Sequence, residues 1–369
     1  VTDETADWPF MGLALALGRR GLGNTWPNPA VGAVLVRSEG GQPVIVGRGW
    51  TQPGGRPHAE IEALGRAGAA ARGATLYVTL EPCSHHGKTP PCADAIVAAG
   101  VARVVSALED PNPEVAGQGH GRLRAAGIAV DVGLGAEAAR RDHAGHLRRM
   151  SDGRPHVTLK LAVSADHKAG LPGRRPAAIT GEAARARVHR LRAMNDAILV
   201  GIGTVLADDP QLTCRLPGME ALSPVRVVLD RRLRLPAGSA LVKSARVTPV
   251  WAVAAPDAPT QAERALRELG VEVVRAPAQS GRLDLAAVLR MLAELGITRL
   301  MVEGGPTVAA GFVAADLVDE AALFRSPKTI GPDGIDALEG MRIETMTARL
   351  KTIAREPVGE DSVEFFARA

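Results

Sequence analysis

An α/β architecture in two domains is what the sequence predicts, and three observations carry that prediction. Strand-like and helix-like apolar patterns alternate along the chain, as they do in layers built on mainly parallel sheets. The alternation breaks at Ser151-Asp152-Gly153-Arg154-Pro155, a turn-rich stretch, and then starts again. The length of 369 residues, at roughly 150 per domain, leaves room for two cores. The expected domains are residues 1–150 and 155–369.

In the first domain a helix is expected over residues 6–20, then apolar strand runs at Ala30–Val36 and Val44–Val46. An alanine-rich helix follows over 58–71, and a strand at Thr75–Leu80. Beyond a polar, proline-rich loop come a helix near 92–99, a strand at Arg103–Leu108, a helix near 119–126 and a strand at Ile128–Val132. A charged helix from Ala136 to Met150 leads into the break. The second domain has strand patterns at Val157–Val163, Ala197–Ile202, Val225–Leu229, Val250–Ala254, Val271–Val274, Arg299–Val302 and Ala321–Phe324. Helical patterns lie between them at 181–194, 260–269, 284–295 and 306–315. The second half does not repeat the first, so two chemistries are expected on one chain.

Composition narrows the class. Hydrophobic residues make up 46% and charged residues 23%, which excludes a disordered chain. Three cysteines (Cys83, Cys92, Cys214) exclude a disulfide scaffold at this length. The aromatic share of 3% leaves the core to aliphatic residues and alanine, and provides no base-stacking platform for single-stranded nucleic acid. Lys+Arg number 44 against 40 Asp+Glu, a spread-out surplus of +4. That balance suits a phosphorylated small molecule or a dinucleotide rather than a polynucleotide. Phe10–Leu17, the most apolar early stretch, is too short to span a bilayer, so no membrane partner is expected. No signal-peptide pattern is visible, and with free cysteines the expected location is the cytoplasm.

The strongest chemical signal is His58-Ala59-Glu60, followed by Pro82-Cys83 and Pro91-Cys92. One imidazole and two thiolates make a tetrahedral zinc site with three protein ligands and an open fourth position, which is the catalytic rather than the structural pattern. Zinc held this way activates water, and Glu60 is placed to shuttle protons to a leaving amine. Histidine-x-glutamate followed by proline-cysteine pairs is the signature of zinc nucleobase deaminases. Cys92 opens an expected helix, whose positive end favours a thiolate. Taken singly, His58 reads as a surface histidine and the cysteines as small buried apolar residues. Taken as an ordered set, they read as a site.

In the second domain there is no Gly-x-Gly-x-x-Gly after the first strand. Instead, Val302-Glu303-Gly304-Gly305-Pro306-Thr307 joins a strand to a helix. Paired glycines let a phosphate approach the backbone at a helix N-terminus, although the same tripeptide is also an ordinary strand–helix turn.

These residues resemble one family. Asn28-Pro29-Ala30-Val31-Gly32-Ala33-Val34, His58-Ala59-Glu60, the run from Thr79 through Cys83 to Cys92, and Asp110-Pro111-Asn112-Pro113 are similar to the bifunctional riboflavin-biosynthesis deaminase–reductases. Eight residues separate Cys83 from Cys92, where tRNA adenosine deaminases and cytidine deaminases keep two. The resemblance implies a cytidine-deaminase-like zinc domain followed by a dihydrofolate-reductase-like domain. It assigns zinc to His58, Cys83 and Cys92 and the proton shuttle to Glu60. Asn28 and His85 would touch the pyrimidine, and Lys88 its ribose phosphate, although an isolated loop lysine is more simply a solvated one. The family often has a histidine seven residues before its zinc histidine, and here that position is Thr51.

Leu159-Lys160-Leu161-Ala162, the run Gly203 to Pro210 and Leu212-Thr213-Cys214-Arg215 extend the resemblance to an NADPH-dependent reductase. Carried over, Ala162, Thr204, Asp208, Gly305, Pro306, Thr307, Val308, Ala309, Ala310 and Gly311 would line the cofactor. Arg192, Leu212, Arg215 and Glu303 would hold the substrate, with arginine suited to its phosphate. Lys160 and Glu303 are the polar candidates beside the carbon that receives hydride. Cys214 has no partner and reads as a passenger.

The chain departs from the family pattern in several places. The stretch Ser164-Ala165-Asp166-His167-Lys168 differs, the family's serine and tryptophan fall at Pro176 and Ala178, and a cofactor-side serine is Arg231. Arg231 reads either as an added phosphate partner or as a surface charge.

The resemblance implies hydrolytic deamination of 2,5-diamino-6-ribosylamino-4(3H)-pyrimidinone 5′-phosphate, then NADPH-dependent reduction of ribosyl to ribityl. It also implies a homodimer or homotetramer. Two other readings stand beside it: a tRNA or nucleotide deaminase with a fused accessory domain, and a zinc-stabilised scaffold whose second half only binds. The cysteine spacing and the missing basic face argue against the first of these.

Overall fold

Gly40 and Gly41 take φ of 59° and 80°, the mirror-image two-residue turn that matches the twist of an antiparallel strand pair. They join β1 (Gly32–Glu39) to β2 (Gln42–Trp50) in a computed structural model that describes residues 4–85, 90–113, 115–174 and 177–368. The hairpin belongs to the first of two compact units, Val1–Gly153; the second is Arg154–Ala369.

The first unit continues with α1 (Glu4–Gly18), α2 (Ala59–Ala67), β3 (Thr75–Val78), α3 (Cys92–Ala99), β4 (Arg103–Ser106), α4 (Gln118–Ala125), β5 (Ala129–Val132), α5 (Ala136–Asp142) and α6 (Ala144–Asp152). Among the described residues its sheet has five strands in the order β2-β1-β3-β4-β5. β1 is antiparallel to both neighbours, and only β3, β4 and β5 run parallel. The expectation of a mainly parallel sheet is therefore corrected here to a mixed one. The cause is the tight Gly40-Gly41 turn, which leaves no room for a crossover helix.

Leu35, Leu76, Ile96 and Leu123 are fully buried in this core, together with many alanines. Gly49 lets α2 lie directly on β2, since a Cβ there would come within 2.3 Å of the Ala59 carbonyl oxygen. That contact seats the start of α2, where His58 stands. The expected helix over 58–71 ends instead at Ala67, and a 3₁₀ turn carries the chain to Ala71. The expected single helix over 136–150 is broken at His143, whose buried ring bonds Thr79 Oγ1 at 3.0 Å. Ser151 and Asp152 still belong to α6, and left-handed Gly153 (φ 63°) closes it.

The second unit runs β6 (His156–Val163), β7 (Lys168–Gly170), α7 (Glu182–Ala193), β8 (Ala197–Gly201), α8 (Ile202–Asp208), β9 (Val225–Leu229), α9 (Ala240–Lys243), β10 (Val250–Ala254), α10 (Thr260–Glu268) and β11 (Glu272–Arg275). Then come β12 (Ala278–Gln279), β13 (Arg282–Leu283), α11 (Leu285–Glu294), β14 (Arg299–Val302), α12 (Pro306–Ala314), β15 (Glu320–Arg325), β16 (Ile335–Asp336), α13 (Glu344–Thr347), β17 (Lys351–Val358) and β18 (Asp361–Ala367). Among the described residues nine strands form one sheet, β11-β10-β9-β8-β14-β6-β15-β18-β17. From β11 through β15 it is parallel, and β18 and β17 close it antiparallel.

All seven expected strands are present in this sheet. β17 and β18 were not expected. β17 is an edge strand with mostly exposed or half-exposed residues and a proline, so it lacks an apolar signature. The described residues include no helix long and apolar enough to cross a membrane.

Candidate functional site

His58 is the N-cap residue of α2, with an extended backbone (φ −71°, ψ 160°). Glu60 lies in the first turn of the same helix and is buried, 3% exposed. Cys92 is the first residue of α3, at its positive end, and Cys83 lies in the loop after β3. His58 Nδ1 stands 3.3 Å from Cys92 Sγ and 3.7 Å from Cys83 Sγ, and the three ligand atoms lie within 4.8 Å of one another.

Zinc bonds of about 2.0 Å to nitrogen and 2.3 Å to sulfur, at tetrahedral angles, separate ligand atoms by roughly 3.5–3.8 Å. The donor set fits that ion. A hydrogen bond with Cys92 draws the Cys83 thiol down to about 4 against the effect of burial, and His58 adds to the pull. Cys92, facing that sulfur in a buried position, is pushed well up. Burial pushes the Glu60 carboxyl up as well.

Glu81 braces this cluster from two residues away. Its Oε1 accepts the His120 N–H at 3.0 Å, and its Oε2 accepts those of Asp110 at 3.1 Å and Gly117 at 3.0 Å. The loop Asp110-Pro111-Asn112-Pro113 is thereby tied to the cysteine-bearing loop. Asp110 Oδ1 meets His146 Nε2 at 3.0 Å and accepts the Asn112 N–H at 2.9 Å. In the sequence Glu81 lies within a motif that assigns it no chemistry, and its one signal is a carboxylate flanked by Leu80 and Pro82. Glu81, Glu109 and His120 also cluster within 4.8 Å. The backbone donors on Glu81 make it a loop clamp rather than a cation ligand.

Asn28 Nδ2 donates to the Gly55 carbonyl at 2.8 Å, fastening the loop that delivers His58. His85 is exposed beyond Cys83, and Lys88 lies outside the described residues. Thr51 is 2% exposed, and its Oγ1 accepts the Val31 N–H at 3.0 Å. Where the family's histidine would stand, this side chain serves the backbone.

In the second unit a cavity of about 1130 Å³ opens where β8, β9 and β14 end, with β6 along its floor. Lys160, Ala162, Arg192, Thr204, Asp208, Leu212, Glu303, Gly305, Pro306, Thr307, Val308 and Gly311 all line it. Ala309 and Ala310 do not. They are buried on the opposite side of α12, because successive helical residues rotate by about 100° and only part of the run from 305 to 311 faces one way. Arg215 is also outside the lining. It is exposed, with Nη1 on Thr213 Oγ1 at 3.3 Å.

Arg192 grips Glu303 through two parallel bonds, Nε to Oε1 at 2.8 Å and Nη2 to Oε2 at 2.9 Å. Its Nη1 donates to the Thr213 carbonyl at 3.1 Å. Its guanidinium fork is thus occupied, and Arg192 orients Glu303. Burial would raise the Glu303 carboxyl, but Arg192 and Lys160 outweigh it and hold the group below its ordinary value. Burial lowers the Lys160 ammonium, and Glu303 offsets this only in part. Lys160 Nζ also lies 5.9 Å from the centre of the Phe324 ring.

Directly after Glu303, Gly304 and Gly305 open onto the N-terminus of α12, and the Gly305 N–H donates to Thr204 Oγ1 at 3.2 Å. A Cβ at Gly304 would sit 2.6 Å from Val308 Cβ, so only glycine permits this close turn. The cavity, the glycine turn and the helix end suit the phosphates of a dinucleotide. Ala178 and Arg231, two of the departures, also line the cavity; Pro176 lies outside the described residues. Arg185, Arg232, Arg234 and Arg282 line it too, and sequence reasoning had not singled them out.

Residues 155–363 match the family model described as the RibD C-terminal domain, and residues 4–108 match the cytidine and deoxycytidylate deaminase zinc-binding region. The riboflavin biosynthesis protein RibD of Escherichia coli (strain K12) is 43% identical over 345 residues, covering 90% of this chain and 91% of its own. That of Aquifex aeolicus is 42% identical over 368 residues, 98% of each chain. The chain belongs to the RibD family.

Solved structures agree over the full length. Acinetobacter baumannii RibD superposes with a TM-score of 0.87 at 36% identity, covering 100% of both chains. A deaminase/reductase from Thermotoga maritima gives 0.85 at 34%, again over 100% of both. As a RibD-family protein the chain is a bifunctional enzyme of riboflavin biosynthesis, with a zinc deaminase domain and a reductase domain. The reading as a tRNA deaminase with an accessory domain is set aside.

Proposed function

We propose that the first unit deaminates 2,5-diamino-6-ribosylamino-4(3H)-pyrimidinone 5′-phosphate and that the second reduces the ribosyl group of the product with NADPH. The clustering of His58, Cys83 and Cys92 beside buried Glu60 carries the first assignment. His58, Cys83 and Cys92 would hold zinc, which when bound supplies a Lewis acid that makes water nucleophilic near neutral pH. Glu60, with its raised proton affinity, takes the water's proton and delivers it to the departing amine, so that ammonia leaves neutral. Asn28 and His85 are proposed to meet the pyrimidine, and Lys88 its phosphate.

Lys160 and Glu303 mark the second centre. NADPH, when bound, would supply the hydride; the turn from Gly305 to Val308 would hold its phosphates, and Ala162, Thr204 and Asp208 would line it. Lys160, whose proton is loosened by burial, can donate to the ribose ring oxygen as the sugar opens. Glu303, aimed by Arg192, would hold the sugar hydroxyls, and the exposed Arg215, beside Thr213, is proposed to meet the phosphate.

A coupled assay tests the reading. Purified protein should release ammonia from the pyrimidine phosphate and then oxidise NADPH. Ammonia release from adenosine in tRNA, or no NADPH oxidation on the deaminated product, would overturn it.

A further inference from the structure

β9 and β14 flank β8, and all three run parallel, so β9 and β14 end on the same edge of the sheet. Two strand spacings separate those ends by roughly 10 Å. β14 ends in the Gly304-Gly305 turn. β9 ends in Asp230-Arg231-Arg232-Leu233-Arg234-Leu235, whose three arginines all line the same cavity.

The fold of that turn aims them. Asp230 is fully buried, and its Oδ2 accepts the Leu235 N–H at 2.7 Å. Leu233 takes a left-handed backbone (φ 54°) and is buried with Leu235, so positions 231, 232 and 234 are left for the cavity side. The Arg231 carbonyl accepts the Ala255 N–H at 3.1 Å, which pins its backbone to the neighbouring loop. Its Nη2 pairs with Asp257 at 3.1 Å, while its Nε is buried with no hydrogen-bond partner. Asp257 is 70% exposed, so that ion pair is weak and an arriving phosphate can displace it.

In doubly wound folds the end of such a strand decides between dinucleotides. A carboxylate facing the ribose selects the form with a free 2′-hydroxyl, and arginine accommodates the 2′-phosphate. Asp230 stands at the strand end here, but its carboxylate is turned into its own turn and does not line the cavity.

We propose that Arg231, supported by Arg232 and Arg234, forms the subsite for the 2′-phosphate of the cofactor's adenosine end, and that Arg231 is a residue by which this chain selects the phosphorylated dinucleotide. The inference rests on the reading of this unit as a dinucleotide-using reductase, and deepens it.

Calorimetric titration of the full chain with adenosine 2′,5′-bisphosphate and with adenosine 5′-monophosphate tests it without turnover. The native chain should bind the bisphosphate tighter by roughly tenfold or more, the scale of a charge-assisted hydrogen bond. Arg231→Ala should lose most of that preference while its monophosphate affinity stays the same, which also reports that the variant is folded. Asp257→Asn, which frees Arg231 without removing it, should tighten the bisphosphate alone.

Arg231→Ala with its preference intact, or weakened equally for both nucleotides, would overturn the proposal; so would unchanged bisphosphate binding in Asp257→Asn. A native chain that binds NADPH without preferring the bisphosphate overturns the proposal alone. One that binds neither nucleotide nor NADPH overturns the cofactor reading with it.

Discussion

Burial raises the affinity of Glu60 for a proton, and the neighbouring His58 only partly offsets it. Glu60→Gln keeps the shape and removes the proton shuttle. Deamination should fall by about a hundredfold or more, while zinc content measured by atomic absorption stays at the native level. Loss of zinc with activity in proportion to the residual metal would make Glu60 a structural residue instead. Lys160 gives the corresponding prediction for reduction. Burial lowers its ammonium pKa, so a donor role makes the reduction rate fall with rising pH earlier than an ordinary lysine would. Lys160→Ala should slow reduction by about a hundredfold and remove that alkaline fall, with ammonia release untouched. A variant that keeps the alkaline fall would show that another group titrates.

At the scale of elements, α1, β3, β4 and β5 are joined by one charged rung. Asp7 Oδ2 meets Arg103 Nη2 at 2.7 Å, Tyr77 Oη donates to Asp7 Oδ1 at 2.5 Å, and Asp131 takes the other side of Arg103 at 2.8 Å. Hydrogen bonding to Arg103 outweighs burial and holds the Asp7 carboxyl below its ordinary 3.8. A depressed folded value means that the rung stabilises fully above that ordinary value and fails as pH drops through the lowered one. Asp7→Asn should therefore cost roughly 1–3 kcal/mol in urea unfolding at pH 7, and the difference should shrink in acid. An equal difference at pH 2 would contradict this.

None of these partners was legible in the sequence, because Asp7 and Arg103 meet only through the fold. The cluster of His58, Cys83 and Cys92 was legible, since these residues sit in short motifs, two of them at helix starts. The strands of the second unit could be read because parallel strands are buried on both faces and run continuously apolar. β17 could not, being polar and at the edge. Nor could the break at His143, which a tertiary bond to Thr79 imposes on a helical pattern. The grip of Arg192 on Glu303 brings together residues far apart in sequence, which the resemblance linked only through an expected substrate.

At the scale of the whole molecule, each unit has its own sheet, its own buried core and its own set of reactive side chains. The metal-type cluster draws its three ligands from residues before Gly153, and the cavity is lined only by residues after Arg154. This arrangement predicts two chemistries carried by separate parts of one chain, without shared residues. Assay of Cys83→Ser in both half-reactions tests it most directly, with circular dichroism confirming that the protein is folded. Removing one of three zinc ligands should abolish ammonia release, and the same protein should still reduce pre-deaminated substrate with NADPH at close to the native rate. A folded Cys83→Ser protein that is inactive in both reactions would contradict the claim.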